Sequence, residues 1–416
     1  MSSPTFTYPI PDKFWIEKLC HWADQQFDFF AFSNGNGYTY PEEPFETRFF
    51  AGNRQLTASE LWSEPTDFRK VGIIGYDFKN RLEKLESNNP AFFELPELCF
   101  FEPSFSLEVH GKTILSEEEL PEEFIQQIDG IALPQCPSTA CAVTPQITKE
   151  YYLKTIRTIQ DHIVEGNTYE SNFCQAYSGS FDSWDPIAAY FRLNQLSPMP
   201  FSALFKAKLQ WLVSASPERY LKRKGNKLIA QPIKGTIRRG KSAEEDRVNK
   251  ETLAGSEKEQ AENLMITDLM RNDLSKISET GTVQVKELFG IYPLPRVFQM
   301  ISTIVSKLKE EISFSDIIQA SFPMGSMTGA PKIRTMEIID ELESFKRGWF
   351  SGAFGVIEKN GDFDFSVIIR SIIADLEVKK LYFGVGSAVT YDADPEQEYE
   401  ECGLKAQAIL EVLSGK

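Results

Sequence analysis

Histidine is nearly absent: the 416 residues contain three, His21, His110 and His162. An imidazole-rich metal site is therefore excluded, and any Ser-His-Asp triad would have to use one of these three. The six cysteines, at 20, 99, 136, 141, 174 and 402, include no C-x-x-C pair. Neither a zinc site nor a disulfide framework is implied, and a reducing cytoplasm is the expected setting. No run of about 18 apolar residues occurs, so no membrane span is expected. The N-terminus, Met1-Ser-Ser-Pro-Thr-Phe-Thr-Tyr8, has neither the basic nor the apolar region of a signal peptide. Positive charge is also scarce: 44 Lys and Arg stand against 60 Asp and Glu, a net charge of −16. That argues against nucleic acid or anionic lipid as a partner. An anionic substrate would need local positive charge from a metal, an arginine or backbone N–H groups. A divalent metal here would be a hard ion held by carboxylates.

The remaining composition, 42% hydrophobic and 25% charged, is that of a soluble globular chain. Its length allows two or three domains or one large interleaved one. Residues 1–145 read as a mixed segment. Phe14 to Phe30 is helix-like, Phe32 to Gly37 is a turn, and Val71–Asp77 is a short strand. The acidic residues 116–129 read as a mobile surface segment, and Pro134–Pro145 as a linker. Sharper signals follow. Thr148 can cap a helix running to about Glu165, with Tyr152, Ile156, Ile159 and Ile163 as its apolar stripe. Residues 211–221 and 227–233 read as a hairpin around Gly225-Asn226. Helices are predicted at Ser256–Arg271, 313–320 and 330–342. Gly352–Glu358 and Asp362–Ala374 pair around Asn360-Gly361, and Leu381–Val389 is the next strand. Consecutive hairpins imply antiparallel sheet rather than a parallel doubly wound one.

Gln231-Pro232-Ile233-Lys234-Gly235-Thr236 places one lysine between a strand end and a glycine turn. It reads either as a surface lysine beside a turn or as an amine held for nucleophilic work, the latter requiring a lowered pKa. Two predicted helices carry acids at helical spacing. Ser256-Glu-Lys-Glu259 fits a capping box, with Glu262 one turn on. Asp394 and Pro395 open the second helix, where Glu398, Glu401 and Lys405 share a face. These acids read either as caps and solvated pairs or as a Mg²⁺ site. In the second reading Glu262 and Glu401 bind the ion, and Glu259 and Glu398 act as further ligands or hold its waters.

Several stretches together resemble the chorismate-utilising enzymes. They are Ser216-Pro-Glu-Arg219, Pro232-Ile-Lys-Gly-Thr236, Ala261 to Leu274, Phe322 to Lys332, Arg347-Gly348, Ile369-Arg370 and Asp394 to Glu401. Their order and spacing agree from about residue 148 to the C-terminus, and Gly75-Tyr-Asp77 fits the N-terminal part of amine-transferring members. The resemblance implies an α+β fold, a large αββα sandwich of two antiparallel sheets with outer helices. Residues 1–145 would contribute to the shared core and residues 146–416 form the chorismate-binding catalytic region. Within the family the lysine resembles that of aminodeoxychorismate synthase large subunits, where anthranilate synthases usually carry alanine. The resemblance then implies amination of chorismate to 4-amino-4-deoxychorismate, with ammonia from a separate glutamine amidotransferase subunit. Lys234 would form a covalent adduct at ring carbon 2 and Glu218 would protonate the leaving hydroxyl. Arg370, Thr236, Gly235, Thr328, Lys405 and the turn containing Gly386 and Ser387 would bind substrate, and Mg²⁺ would sit on the carboxylates. An anthranilate synthase, an isochorismate or salicylate synthase and a weakly active chorismate-binding paralogue are the competing readings.

The chain departs from the family pattern at four places. Gln299 stands for a histidine often tied to pyruvate elimination, which fits either an enzyme that stops before an aromatic product or one of weakened activity. Glu170 stands where amine-users carry glutamine and water-users lysine. Ala388 replaces a glycine, and Phe350 a tyrosine.

Overall fold

The computed structural model describes residues 5–64, 66–135 and 138–415. Two antiparallel sheets, one of twelve strands and one of ten, form the centre of the fold, with helices packed on them. Period-2 alternation sorts the core. On the strand Phe29–Asn34, Phe29 and Ala31 face the space between the sheets, while Phe30 and Phe32 face a layer of helices. The first hundred residues feed both sheets. Phe29–Asn34 and Arg48–Gly52 lie in the larger sheet, and Lys70–Ile74 and Leu98–Glu102 in the smaller. Among the described residues no helix is long and apolar enough to cross a membrane, and five cysteines are buried and unpaired. Cys136 lies outside the described residues.

Two expected strands each prove to be two. Gln210–Ser216 belongs to the larger sheet, whereas Arg219–Lys224 belongs to the smaller. The break falls at Pro217, which has no N–H to give a ladder. Likewise Phe363–Val367 lies in the smaller sheet and Ser371–Asp375 in the larger. Arg370 sits at that break with φ 54°. The two crossings are bonded to one another: Val367 N–H donates to the Glu218 carbonyl at 3.0 Å, and Ala215 N–H to the Arg370 carbonyl at 3.2 Å. Glu218 and Arg370 thus share the seam between the sheets.

Other expectations shift. The acidic segment carries a helix, Glu122–Asp129, whose Phe124 packs edge-on against Trp15 and Trp22. The supposed linker is tied down: Cys141 N–H donates to the Leu413 carbonyl, and Thr144–Pro145 pairs with Tyr177 and Ser178. Phe29 and Phe30 leave the first helix, Trp15–Gln26, for a strand. The Thr148-capped helix forms at Lys149–Val164. Residues 384–388 are not a turn but part of the strand Lys380–Val389, paired along its length with Glu170–Ser180.

Candidate active site

Lys234 lies inside a strand rather than at its end. Lys227–Gln231 and Ile233–Arg238 run along the same neighbour, Val297–Lys307, interrupted at Pro232. The register then slips, with Ile233 opposite Ile301 but Thr236 opposite Gln299. Lys234 and Gly235 occupy this bulge, and Gly235 has φ +93°. Bulges re-aim side chains, and this one needs glycine because a Cβ would meet Glu259 Oε2 at 3.1 Å. The Asn263 amide fixes the bulge from the helix Glu257–Ile277, donating to the carbonyls of Lys234 at 3.3 Å and Met300 at 3.2 Å. Asn263 in turn accepts from the Ser302 hydroxyl.

The Lys234 ammonium donates to Glu170 Oε1 at 2.7 Å, with the two side chains 11% and 1% exposed. Burial alone would lower the lysine pKa. The negative charges of Glu170 and Glu262 outweigh it and hold the pKa well above the ordinary lysine range. The lowered value expected of a resting nucleophile is therefore not found. Glu218 behaves differently. Burial pushes it up to about 7, against the downward pull of the Ser326 hydroxyl and the Lys234 ammonium. It is a carboxyl group that holds a proton near neutral pH.

Arg370 is half-buried, and among the described residues no carboxylate lies within 4.0 Å of its guanidinium. Its hydrogen bond goes to the Lys405 carbonyl at 3.5 Å. A partly desolvated arginine without an acidic partner suits an incoming carboxylate. Lys405 donates to the Gly386 carbonyl at 2.8 Å and pairs with Glu401. Gly386 admits no side chain, since a Cβ would meet Cys174 Sγ at 2.5 Å. Ser387 turns its hydroxyl away to Tyr152 at 2.7 Å, so only its backbone is available. Thr328 is fully buried and donates to the Met324 carbonyl at 3.2 Å, while Thr236 is exposed.

The acids of the helices Glu257–Ile277 and Pro395–Leu413 face each other across lysines. Ser256 caps the first by accepting from Glu259 N–H, but the reciprocal half of the expected capping box does not form. The Glu259 carboxylate lies against Gly235 instead. Lys258 stands 3.4 Å from Glu398 and 3.8 Å from Glu262. Burial pushes Glu262 up to about 7, with Lys234 lowering it and Glu170 and Glu259 raising it. Burial and then Glu401 also raise Glu259 and Glu398, whereas Glu401 is lowered because Lys405 overcomes its burial. Among the described residues no three acids gather into a ready metal-ligand cluster. By donor chemistry the four still suit a hard dication: oxygen ligands on two helices, mutually repelling and balanced by ammonium groups.

Two of these residues escaped the sequence-based site set. Glu170 showed there only as a departure from pattern, and Asn263 only as an unremarked member of the stretch Ala261 to Leu274. Gln299 is buried with Oε1 unpartnered, and the Phe350 ring fills the space above Gly384, where a Cβ would meet it at 2.4 Å.

The profile of one family, described as chorismate binding enzyme, matches residues 22–411. The chain belongs to that family. It is accordingly an enzyme acting on chorismate. Over 355 residues it is 34% identical to aminodeoxychorismate synthase component 1 of Escherichia coli (strain K12), covering 82% of this chain and 76% of that one. It is 32% identical over 394 residues to an anthranilate synthase component 1 of Haloarcula marismortui, covering 88% and 80%. The solved menaquinone-specific isochorismate synthase of Escherichia coli superposes with a TM-score of 0.78 over 99% and 94% of the two chains. At 19% identity that likeness concerns the fold alone. In this chorismate-binding enzyme the αββα architecture therefore accompanies family membership.

Proposed function

We propose that the chain aminates chorismate to 4-amino-4-deoxychorismate, as the component 1 of an aminodeoxychorismate synthase. The observation that carries this reading is a buried amine, Lys234, whose charge acts on a buried carboxyl group, Glu218, that keeps its proton to about pH 7. Chorismate presents two carboxylates and a hydroxyl at ring carbon 4. Arg370 would take the enolpyruvyl carboxylate through its fork, supported by the backbone around Gly386 and by Lys405. Glu262 and Glu401 would hold Mg²⁺, with Glu259 and Glu398 reaching it through water. The ion, when bound, would offset the charge of the ring carboxylate.

Lys234, once deprotonated, attacks carbon 2. The ring double bond shifts, and the carbon 4 hydroxyl leaves as water with the proton of Glu218. Ammonia then attacks carbon 4, the double bond returns, and the lysine departs. Two displacements replace one difficult substitution. A glutamine amidotransferase subunit is the proposed source of ammonia, in keeping with the component 1 name of the relatives. Thr236, Gly235 and Thr328 would contribute to substrate binding, with the Thr328 hydroxyl already given to the Met324 carbonyl.

The test is product identity. The purified chain is incubated with chorismate, Mg²⁺ and ammonium at alkaline pH, and an aminodeoxychorismate lyase is then added. The proposal expects 4-aminobenzoate only after the lyase. Anthranilate formed without the lyase, or chorismate binding without turnover, overturns it.

A further inference from the structure

The amination reading leaves one proton unassigned, because Lys234 rests as an ammonium and must lose a proton before it can attack. We infer that Glu170 is the acceptor of that proton and returns it when the lysine is released. The inference rests on the amination reading and adds a residue to it.

Three observations support it. First, Glu170 is the one carboxylate within 4.0 Å of Lys234 Nζ among the described residues, at 2.7 Å. The other acids that face the lysine act by charge alone: Glu262 from the helix Glu257–Ile277, Glu401 from the terminal helix, and Glu218 at the crossing. Second, Glu170 is 1% exposed and its other oxygen, Oε2, is buried without a partner. The unfilled acceptor capacity leaves a lone pair open on the same carboxylate that already accepts the Lys234 hydrogen bond. Third, the backbone that carries the group is held in place. Glu170 pairs with Ala330, and its carbonyl accepts from the Thr168 hydroxyl at 3.0 Å. Gly329, at φ +146°, lets the chain pass so close that a Cβ there would meet the Glu170 carbonyl at 2.0 Å. The fixed strand and the hydrogen bond to Lys234 place the carboxylate before substrate arrives.

The steps balance. One Nζ–H bond breaks and a Glu170 O–H bond forms. The freed electron pair of Nζ makes the bond to carbon 2, and the carbon 4–oxygen bond breaks with the Glu218 proton leaving in water. After ammonia attacks carbon 4, the carbon 2–Nζ bond breaks with its electrons on Nζ. The amine then takes its proton back from Glu170. The new ammonium on carbon 4 gives its extra proton to Glu218.

Glu170→Gln keeps the shape and removes the basicity. At saturating chorismate and constant free ammonia its kcat should fall about 100-fold or more, with KM within about twofold of wild type. Hydroxide would replace the missing base, so the deficit should narrow about tenfold per pH unit. A Glu170→Gln enzyme as fast as wild type, or with a deficit constant in pH, overturns the inference and marks Glu170 as a mere partner or brake. If that variant does not melt cooperatively, Glu170→Asp carries the test. A slower enzyme with the wild-type pH profile supports the inference, and loss of that profile overturns it. The two proposals fail separately. No aminodeoxychorismate from wild type defeats the amination reading, whereas Lys234-dependent amination unaffected by Glu170→Gln defeats only this one.

Discussion

Glu218 keeps its proton because the chain buries it where it passes from one sheet to the other, and that placement links activity to stability. Its folded pKa of about 7 lies above the ordinary 4.5, so the native state binds the proton more tightly than the unfolded state. The carboxyl group therefore costs stability as pH rises from 4.5 through about 7, and the full penalty of about 3 kcal/mol stands above that. Glu218→Gln should melt higher than wild type at pH 8, lose that advantage near pH 4, and show kcat lower by about 100-fold or more. For wild type, kcat/KM at constant free ammonia should fall above about pH 7 as the proton is lost. A variant less stable than wild type at pH 8, or a profile flat through pH 7, would contradict this placement. At this scale the sequence revealed residue types but not their couplings. Lys234 and Glu218 stood out by motif, yet the Lys234–Glu170 bond joins positions 64 apart and depends on the fold.

At the scale of elements, the bulge at Lys234-Gly235 is what aims the amine. Gly235→Ala combines an unfavourable positive φ with a Cβ 3.1 Å from Glu259. It should cost about 1–2 kcal/mol in denaturant melts and reduce kcat more than chorismate affinity. Wild-type kcat in this variant would show that the bulge does not set the lysine's position. The helices were legible because caps such as Thr148, Ser256 and Asp394 are local signals, and each forms. The sheet crossings were not. Residues 211–221 and 362–374 carry apolar residues on both sides of the break, and which sheet a strand joins is decided by distant neighbours. Only Pro217 hinted at the first break, and nothing local marked Arg370 for a positive φ.

Across the whole molecule, a chain of net charge −16 must bind a substrate with two carboxylates. The fold answers with Lys405 and Lys258 set against carboxylates from two helices that are far apart in sequence, and with Arg370 bonded to the Lys405 carbonyl. Mg²⁺ would complete this balance. In titrations followed by chorismate binding, wild type should bind more tightly as Mg²⁺ is added and lose that gain with chelator. Glu262→Ala and Glu401→Ala should flatten the response, and wild-type Mg²⁺ curves in both would remove the ion from these residues. The overall architecture was legible because several motifs kept one family's order and spacing. The state of the carboxylate cluster was not, since spacing places acids on a helix face without saying which lysine reaches them.

In the proposed amination Lys234 bonds to the substrate ring. Its most direct test is to mix the enzyme with chorismate and Mg²⁺ without ammonia, quench, digest, and map covalent mass by peptide mass spectrometry. A chorismate-derived adduct, lighter than chorismate by one water, is expected on the peptide carrying Lys234. Ammonia should discharge the adduct, and Lys234→Ala should form none. Undiminished amination by Lys234→Ala, or an adduct mapped to another residue, would contradict it.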